Sequence, residues 1–155
     1  MKRLLVTTAL QSSWESGRPL LFLGEWCRLY DRRDQWGKLD ATVLPYHRDL
    51  MNLDSSEYHY LNSLYEKLLR NLAQQLNEEH SVEHGLRYWR IIVGPWLGYF
   101  IHVLFDRWTS IRQAADTGEV QESIVIFGLH DARPPLDMFD FRRLTNSIEW
   151  NHYIY

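Results

Sequence analysis

Four polar residues follow short apolar runs of the sequence and are candidates for a catalytic or binding site. They are Thr8, Glu25, His47 and His130. A carboxylate or an imidazole can act as a general acid or base, and a threonine hydroxyl can hydrogen-bond a sugar. Glu25 stands at a predicted turn from a strand into a helix, where the helix N-terminus stabilises negative charge. The alternative for all four is a role as polar loop residues at the surface.

A second group of residues could bind a flat or an anionic ligand. Trp26 follows Glu25, and the arginines Arg28, Arg87 and Arg90 occur close to tryptophans. The planar guanidinium fork of arginine suits phosphate and carboxylate groups, so a sugar nucleotide or a phosphorylated sugar would fit this composition. Arginines on solvated helix faces give the same pattern, and that alternative stays open.

The motifs of several enzyme classes are missing from the sequence. There is no G-x-G-x-x-G, G-x-x-x-x-G-K-[ST], G-x-S-x-G or C-x-x-C, which disfavours a standard dinucleotide enzyme, a P-loop NTPase and a serine hydrolase. The seven histidines are too scattered for a zinc motif. His102 and Asp106 are four residues apart and favour a structural hydrogen bond over a metal site. We therefore expect no metal in this chain.

The elements that must position these residues alternate between strands and helices. Apolar runs predict strands at 3–8, 20–23, 41–44 and 123–127, and helical segments are predicted at 25–36, 55–77, 86–93, 96–115 and 137–146. Asp54 followed by Glu57 predicts a capping box for the second helix. The helix at 96–115 is apolar nearly all round in its first half, which predicts burial. The alternation predicts an α/β fold with a mainly parallel sheet of about four strands, long buried helices and ligands beyond the strands' carboxyl ends.

Composition limits the class of protein. The chain has 155 residues and a formal net charge of −3, which disfavours a nucleic-acid partner. Aromatic residues make up 14% and indicate a large core, a docking interface or a site that stacks flat ligands. The single cysteine, Cys27, cannot form an intramolecular disulfide, so we expect a reducing, cytoplasmic location. The apolar stretch at 91–105 is too short for a membrane span.

The sequence resembles a family of bacterial transferases associated with O-antigen and other surface-polysaccharide synthesis. The resemblance lies in the strings KRLLVTTAL (2–10), LFLGEWCRLY (21–30), VLPYH (43–47), LRYWRI (86–91), GPWLGYF (94–100), FDRW (105–108) and EWNH (149–152). It implies a Rossmann-like domain of a glycosyltransferase. Because members of that family are longer, it also implies that this chain is one α/β domain, the amino-terminal half of a two-domain enzyme. That half contributes acceptor contacts and a base, whereas the missing carboxy-terminal domain binds the nucleotide-sugar donor.

Two hypotheses follow for the function. In the first, the chain is the acceptor-side domain of a glycosyltransferase and is inactive alone. Glu25 or His47 is then the base that deprotonates a hydroxyl of a carbohydrate or glycolipid acceptor. In the second, it is a non-catalytic domain that docks on a partner through a Trp-rich surface. Strand-end residues gathered in one place favour the first hypothesis, and an exposed Trp96 or Trp108 favours the second. A self-contained small enzyme is a third possibility.

Overall fold

The computed structural model describes residues 2–47 and 55–155, and these form two compact units. The first unit combines Met1–His47 with Asp106–Tyr155, and the second is Arg48–Phe105. The sheet lies in the first unit, whereas the described part of the second unit has only helices as regular elements. Asp54 of the predicted capping box lies outside the described residues.

The sheet consists of four parallel strands. They are β1 (Arg3–Val6), β2 (Leu20–Phe22), β3 (Ala41–Val43) and β4 (Val120–Ser123), in the order β3-β2-β1-β4. The two central strands are almost entirely apolar and buried, as expected for a parallel sheet that is covered on both faces. Leu4, Val6, Leu20 and Phe22 are fully buried and belong to the main hydrophobic core. The predicted α/β class with a parallel sheet is confirmed.

The strand order reverses at β1. The chain passes outward from β1 to β2 and β3, and it later returns to place β4 on the other side of β1. In open parallel sheets, ligands bind beyond the carboxyl ends of the strands at such a switch point. In this sheet the switch point lies between the segments that follow β1 and β4.

The fourth strand does not lie where the β-branched run predicts it. We predicted residues 123–127, but the strand ends at Ser123. Pairing with β1 sets its register, with Leu5 opposite Ser123. The backbone N–H of Ile126 donates a hydrogen bond to the side chain of His152 and not to a neighbouring strand. The prediction of a strand at 123–127 is therefore wrong, because tertiary hydrogen bonds decide where pairing stops.

The prediction of one helix over residues 25–36 is also wrong. Two short 3-10 turns and a four-residue helix take its place: Glu25–Cys27, Tyr30–Arg32 and α1 (Arg33–Trp36). Leu29 has an extended backbone, and its carbonyl accepts a hydrogen bond from the indole of Trp36 at 2.8 Å. Side chains of the first turn bond to carbonyls at the end of β1. These contacts outweigh the weak helical spacing of this segment.

Three helices contribute to the described part of the second unit: α2 (Ser55–His80), α3 (Leu86–Ile92) and the first half of α4 (Gly94–Asp116). Their apolar stripes share a core of Leu61, Leu69, Leu97 and Ile101. We expected the first half of α4 to be buried all round. It buries one side only, since Tyr99 is 45% exposed and Leu104 37% exposed. In the described part of the chain, no helix has the length and apolar character needed to cross a membrane.

Two capped helices complete the first unit: α5 (Met138–Leu144) and α6 (Ile148–Ile154). Asp137 and Ser147 accept hydrogen bonds from backbone N–H groups in the first turns of these helices, which are otherwise unsatisfied. Phe141 and Trp150 are buried and meet edge to face, with ring centroids 5.8 Å apart. This packing fixes α6 and thereby the side chains that α6 directs toward the strand ends.

Candidate functional site

The carboxyl ends of β1, β2 and β3 open into a cleft of about 830 Å³ in the first unit. Segments that follow the three strands line it together with α4 and the segment from Thr145 to Tyr155. The polar and aromatic residues of its lining are Thr8, Glu25, Trp26, Tyr46, Asp106, Arg107, Thr145, Asn146, Asn151 and Tyr155. Apolar walls with a few converging polar groups are typical of small-molecule sites.

Three aromatic rings form an apolar surface in this cleft. The rings of Trp26 and Tyr155 are nearly parallel, at 4°, with centroids 6.5 Å apart, and Tyr46 meets Trp26 edge to face. The indole N–H of Trp26 donates to the carbonyl of Thr7 at 2.9 Å, which holds the ring at the end of β1. Burial raises the pKa of Tyr155, so its phenol stays neutral. Rigid aromatic faces of this kind can stack on the C–H face of a sugar.

Asp106 is the centre of a hydrogen-bond network in the cleft. Its Oδ1 accepts from the Tyr46 hydroxyl at 2.6 Å and lies 3.1 Å from His47 Nε2, while its Oδ2 accepts from Arg107 at 2.7 Å. Burial by itself raises the pKa of Asp106, but the hydrogen bonds of Tyr46 and Arg107 and the nearby positive charges lower it further than burial raises it. Asp106 is therefore a carboxylate although its side chain is only 13% exposed.

The carboxylate of Asp106 determines which nitrogen of His47 carries the proton. Because a carboxylate only accepts hydrogen bonds, neutral His47 is protonated on Nε2 and keeps a lone pair on Nδ1. A histidine oriented in this way by a carboxylate is the arrangement that general bases use in catalytic triads. The His47 side chain is almost buried and is not among the lining residues, so it is linked to the cleft only through Asp106.

Arg107 joins Asp106 to helix α6. Its guanidinium donates to Asp106 and, through Nε and Nη2, to Asn151 Oδ1 at 3.2 and 2.7 Å. Its Cζ also lies 5.6 Å from the centre of the Tyr155 ring. The Asn151 amide donates to the carbonyls of Thr145 and Ser147, which fixes its orientation. The positive charge of Arg107 is thus used within the protein and is not directed at a ligand anion.

Thr8, Glu25 and Trp26, predicted from the sequence, all line the cleft. Thr8 is buried, whereas the Glu25 side chain is 74% exposed. Arg28 holds Glu25 with two nitrogens, Nη2 at 2.6 Å from Oε1 and Nε at 3.1 Å from Oε2. The Arg28 guanidinium also lies over the Trp36 ring, 5.1 Å from its centre. Arg28 therefore neutralises Glu25 and is not among the residues of the lining.

His130 is not brought to the cleft. Its side chain is 89% exposed, and its nearest polar partner is Asp131 Oδ1 at 3.3 Å. Asp131 accepts hydrogen bonds from Arg143 and Ser147, and these hold the pKa of its carboxyl well below the usual range. Because β4 ends at Ser123, His130 lies in the loop that Asp131 ties to α5 and α6, away from the strand end.

Arg87 and Arg90 lie in α3, in the second unit, and neither lines the cleft. Arg90 donates two hydrogen bonds to the carboxylate of Glu66, at 2.6 and 2.8 Å, and lies over the ring of Tyr65. Arg87 is exposed on the helix surface. In residues 2–47 and 55–155, no group of three or more His, Cys, Asp or Glu side chains is arranged to hold a metal ion.

The sequence profile of the LIC12162 family transferases matches residues 3–155, which is nearly the whole chain. The chain belongs to this family of transferases. Neither curated proteins nor solved structures give a match to it. The cleft, whose Asp106 carboxylate orients the adjacent and almost buried His47, is thus the candidate active site of a LIC12162 family transferase.

Reasoning from strand ends missed several lining residues of this LIC12162 family transferase, among them Asp106, Arg107, Asn151 and Tyr155. They come from α4 and the C-terminal segment, and no local pattern places those elements against the carboxyl ends of the strands. One signal was available in the sequence. Asp106 and Arg107 lie in the string FDRW, and Asn151 lies in EWNH, two of the strings that carry the family resemblance.

Proposed function

We propose that this chain is the acceptor-side, amino-terminal domain of a cytoplasmic, sugar-nucleotide-dependent glycosyltransferase of surface-polysaccharide (O-antigen) synthesis. The acceptor is a carbohydrate or a glycolipid, and a further, carboxy-terminal domain binds the nucleotide-sugar donor. One observation carries this proposal: a cleft with an aromatic wall contains the carboxylate of Asp106, which orients His47. Such a wall suits the apolar face of a sugar, and such a base suits the activation of a hydroxyl.

The charges of the cleft favour a neutral ligand over a phosphate. The charged residues of its lining are Glu25, Asp106 and Arg107, and the one cation among them is already paired with Asp106. Arg107 is bound to Asp106 and Asn151, and Arg28 is bound to Glu25. A nucleoside diphosphate would bring two or more negative charges to these carboxylates, whereas a neutral sugar hydroxyl finds donors and acceptors. The acceptor, and not the donor, therefore fits this cleft.

His47 is our candidate for the base. Its Nδ1 lone pair takes the proton of the acceptor hydroxyl while that oxygen attacks the anomeric carbon of the donor and the nucleoside diphosphate leaves. Asp106 stabilises the imidazolium that forms, in the manner of a triad carboxylate. Glu25 is the alternative base, and Arg28 competes for its carboxylate. His130 has no role in this proposal, since its side chain is 89% exposed and bonds to Asp131 rather than to the Asp106 network.

Ligand titrations of the chain test the proposal. We expect methyl α-D-glucopyranoside, methyl α-D-mannopyranoside or methyl α-D-galactopyranoside to shift the NMR signal of the Trp26 indole, and UDP not to shift it. Trp26→Leu removes this signal, so binding to the variant is followed by isothermal titration calorimetry, and we expect the substitution to abolish it. Trp108→Leu is the matched control, because Trp108 is an exposed tryptophan outside the cleft lining. Binding of UDP at Trp26 without binding of any hexoside would contradict an acceptor cleft.

Transfer of sugar by the complete enzyme tests the choice of base. We expect His47→Asn to lower kcat by about 100-fold or more, the usual contribution of a general base, and Glu25→Gln to have a smaller effect. The reverse order would assign the base to Glu25. Unchanged turnover in both variants would exclude both residues as bases.

A docking role is the second candidate function, and one observation favours it. Trp108 is 53% exposed in the first unit, and Phe127 and Phe139 are 88% and 83% exposed. Exposed apolar surface of this kind can mark an interface. If docking is the function, Trp108→Arg and Phe127→Glu should weaken association with the carboxy-terminal domain in sedimentation velocity, while Trp26→Leu should not.

A further inference from the structure

A buried histidine joins the two chain segments that meet where the strand order reverses. His152 of α6 is only 5% exposed. Its Nε2 accepts a hydrogen bond from the backbone N–H of Ile126, beyond β4, at 3.0 Å. Its Nδ1 lies 3.4 Å from the hydroxyl oxygen of Thr8, beyond β1. The imidazole therefore bridges the carboxyl ends of β1 and β4.

These two contacts fix the proton of His152. A backbone N–H can only donate, so Nε2 must be the unprotonated nitrogen of the ring. In a neutral imidazole the proton is then on Nδ1, which donates to Thr8. Burial lowers the pKa of His152, which favours the neutral ring.

Because His152 is the donor in this contact, the Thr8 hydroxyl is the acceptor. A threonine hydroxyl has one proton to donate and two lone pairs. One lone pair accepts a hydrogen bond from the Nδ1–H of His152, so the hydroxyl's own proton is available to a different acceptor. Within the described residues, the Thr8 hydroxyl contacts no second hydrogen-bond partner. Thr8 is only 2% exposed and lines the cleft, and a buried donor without an acceptor is costly.

We propose that the Thr8 hydroxyl donates a hydrogen bond to an oxygen of the acceptor sugar, and that His152 is the positioning residue that fixes this direction. The inference rests on the proposed function and deepens it, because it names a specificity contact in the acceptor cleft. A sugar must present an oxygen lone pair at the end of β1. A deoxy sugar that lacks this oxygen leaves the Thr8 donor unpaired and binds more weakly.

The first test reads the tautomer of His152 in the full chain. Long-range ¹H–¹⁵N NMR spectra of the ¹⁵N-histidine-labelled protein distinguish the two neutral tautomers and the imidazolium. We expect the Nδ1–H tautomer at neutral pH, with or without a ligand. An Nε2–H tautomer or an imidazolium would overturn the proposal whatever ligand binds.

The second test measures binding of the tightest of the three methyl hexosides to Thr8 variants. Thr8→Val removes the hydroxyl at nearly constant shape and should weaken binding about fivefold to tenfold, the equivalent of one neutral hydrogen bond. Thr8→Ser keeps the hydroxyl and should restore most of the affinity. Equal affinities of the wild type and Thr8→Val would overturn the contact while leaving the proposed function intact. Absence of hexoside binding to the wild type would overturn both.

A double-mutant cycle separates positioning from a purely structural role. If His152 acts through Thr8, His152→Phe weakens hexoside binding in the wild type and has little effect in the Thr8→Val background. Equal losses in both backgrounds would show that His152 acts only on the fold. If His152→Phe does not fold, the tautomer of His152 and the affinities of Thr8→Val and Thr8→Ser still test the proposal.

Discussion

Replacing Asp106 by asparagine removes the charge at the centre of the cleft and keeps the side chain's shape. The carboxylate accepts from Tyr46, His47 and Arg107. The carboxamide has one acceptor oxygen, and its NH₂ group faces at least one of these donors. The variant therefore loses one or two hydrogen bonds to a charged group, and it leaves Arg107 with Asn151 as its remaining partner.

The structure sets the size of the expected loss. Hydrogen bonds to charged groups contribute about 1.5–3 kcal/mol each, and removing one partner of a buried ion pair costs about 3–5 kcal/mol. The side chains of Asp106 and Arg107 are 13% and 21% exposed, so solvent screens the pair only partly. Since Arg107 keeps its bonds to Asn151, we expect Asp106→Asn to lower the free energy of unfolding by about 2–4 kcal/mol.

Urea unfolding, followed by tryptophan fluorescence at pH 7, measures this loss against a matched control. Asp116→Asn makes the same change in the same helix, but Asp116 is 73% exposed and its contact with Arg112 is 3.9 Å long. That control should lose less than about 0.5 kcal/mol. Similar losses in the two variants would refute the central role of Asp106.

The pH dependence gives the same prediction a second check. The pKa of Asp106 is lower in the folded protein than its ordinary value. The ionised carboxylate therefore contributes its full stabilisation above the pKa that Asp106 has in the unfolded chain. This stabilisation is lost as the pH falls through the lower pKa of the folded protein. The difference between the wild type and Asp106→Asn should be complete at pH 7 and should shrink below about pH 4. A difference that does not change with pH would contradict an ionised Asp106.

Three further predictions concern other parts of the chain. Burial raises the pKa of the Cys27 thiol to about 12. Iodoacetamide at pH 8 should therefore alkylate this thiol only when urea unfolds the chain. Rapid labelling of the native chain, detected by mass spectrometry, would contradict this burial. Asn77 bonds to both backbone groups of His84 and to the Trp89 indole, so Asn77→Ala should cost about 2 kcal/mol in urea unfolding, and a loss below about 0.5 kcal/mol would argue against this network. His130→Ala should change neither stability, beyond about 0.5 kcal/mol, nor hexoside affinity, because the side chain is 89% exposed; weaker binding would return His130 to the site.

The central sheet and one side of the cleft could be predicted from the sequence. The runs at the first three strands are apolar and end in turn residues, so local pattern was sufficient there. The rule that ligands bind beyond the carboxyl ends of parallel strands then selected Thr8 and Glu25, with Trp26 next to Glu25. All three line the cleft.

The rest depends on contacts that are distant in the sequence. Asp106 lies 60 residues from Tyr46, and Arg107 lies 44 residues from Asn151. Helical spacing suggested a partner for Asp106 four residues away, at His102, whereas the structure pairs it with His47. The strand predicted at 123–127 does not form beyond Ser123, because the Ile126 N–H bonds to His152, which lies 26 residues further along the chain. Local propensity contains none of this information.

A crystal structure of the chain with one of the three methyl hexosides tests the central claim most directly. We expect the sugar in the cleft, with its C–H face on Trp26, one hydroxyl within 3.2 Å or so of Thr8 Oγ1 and another toward the Asp106–His47 pair. A sugar bound elsewhere, or an empty cleft at a concentration that saturates binding in solution, would contradict an acceptor site at the carboxyl ends of these strands.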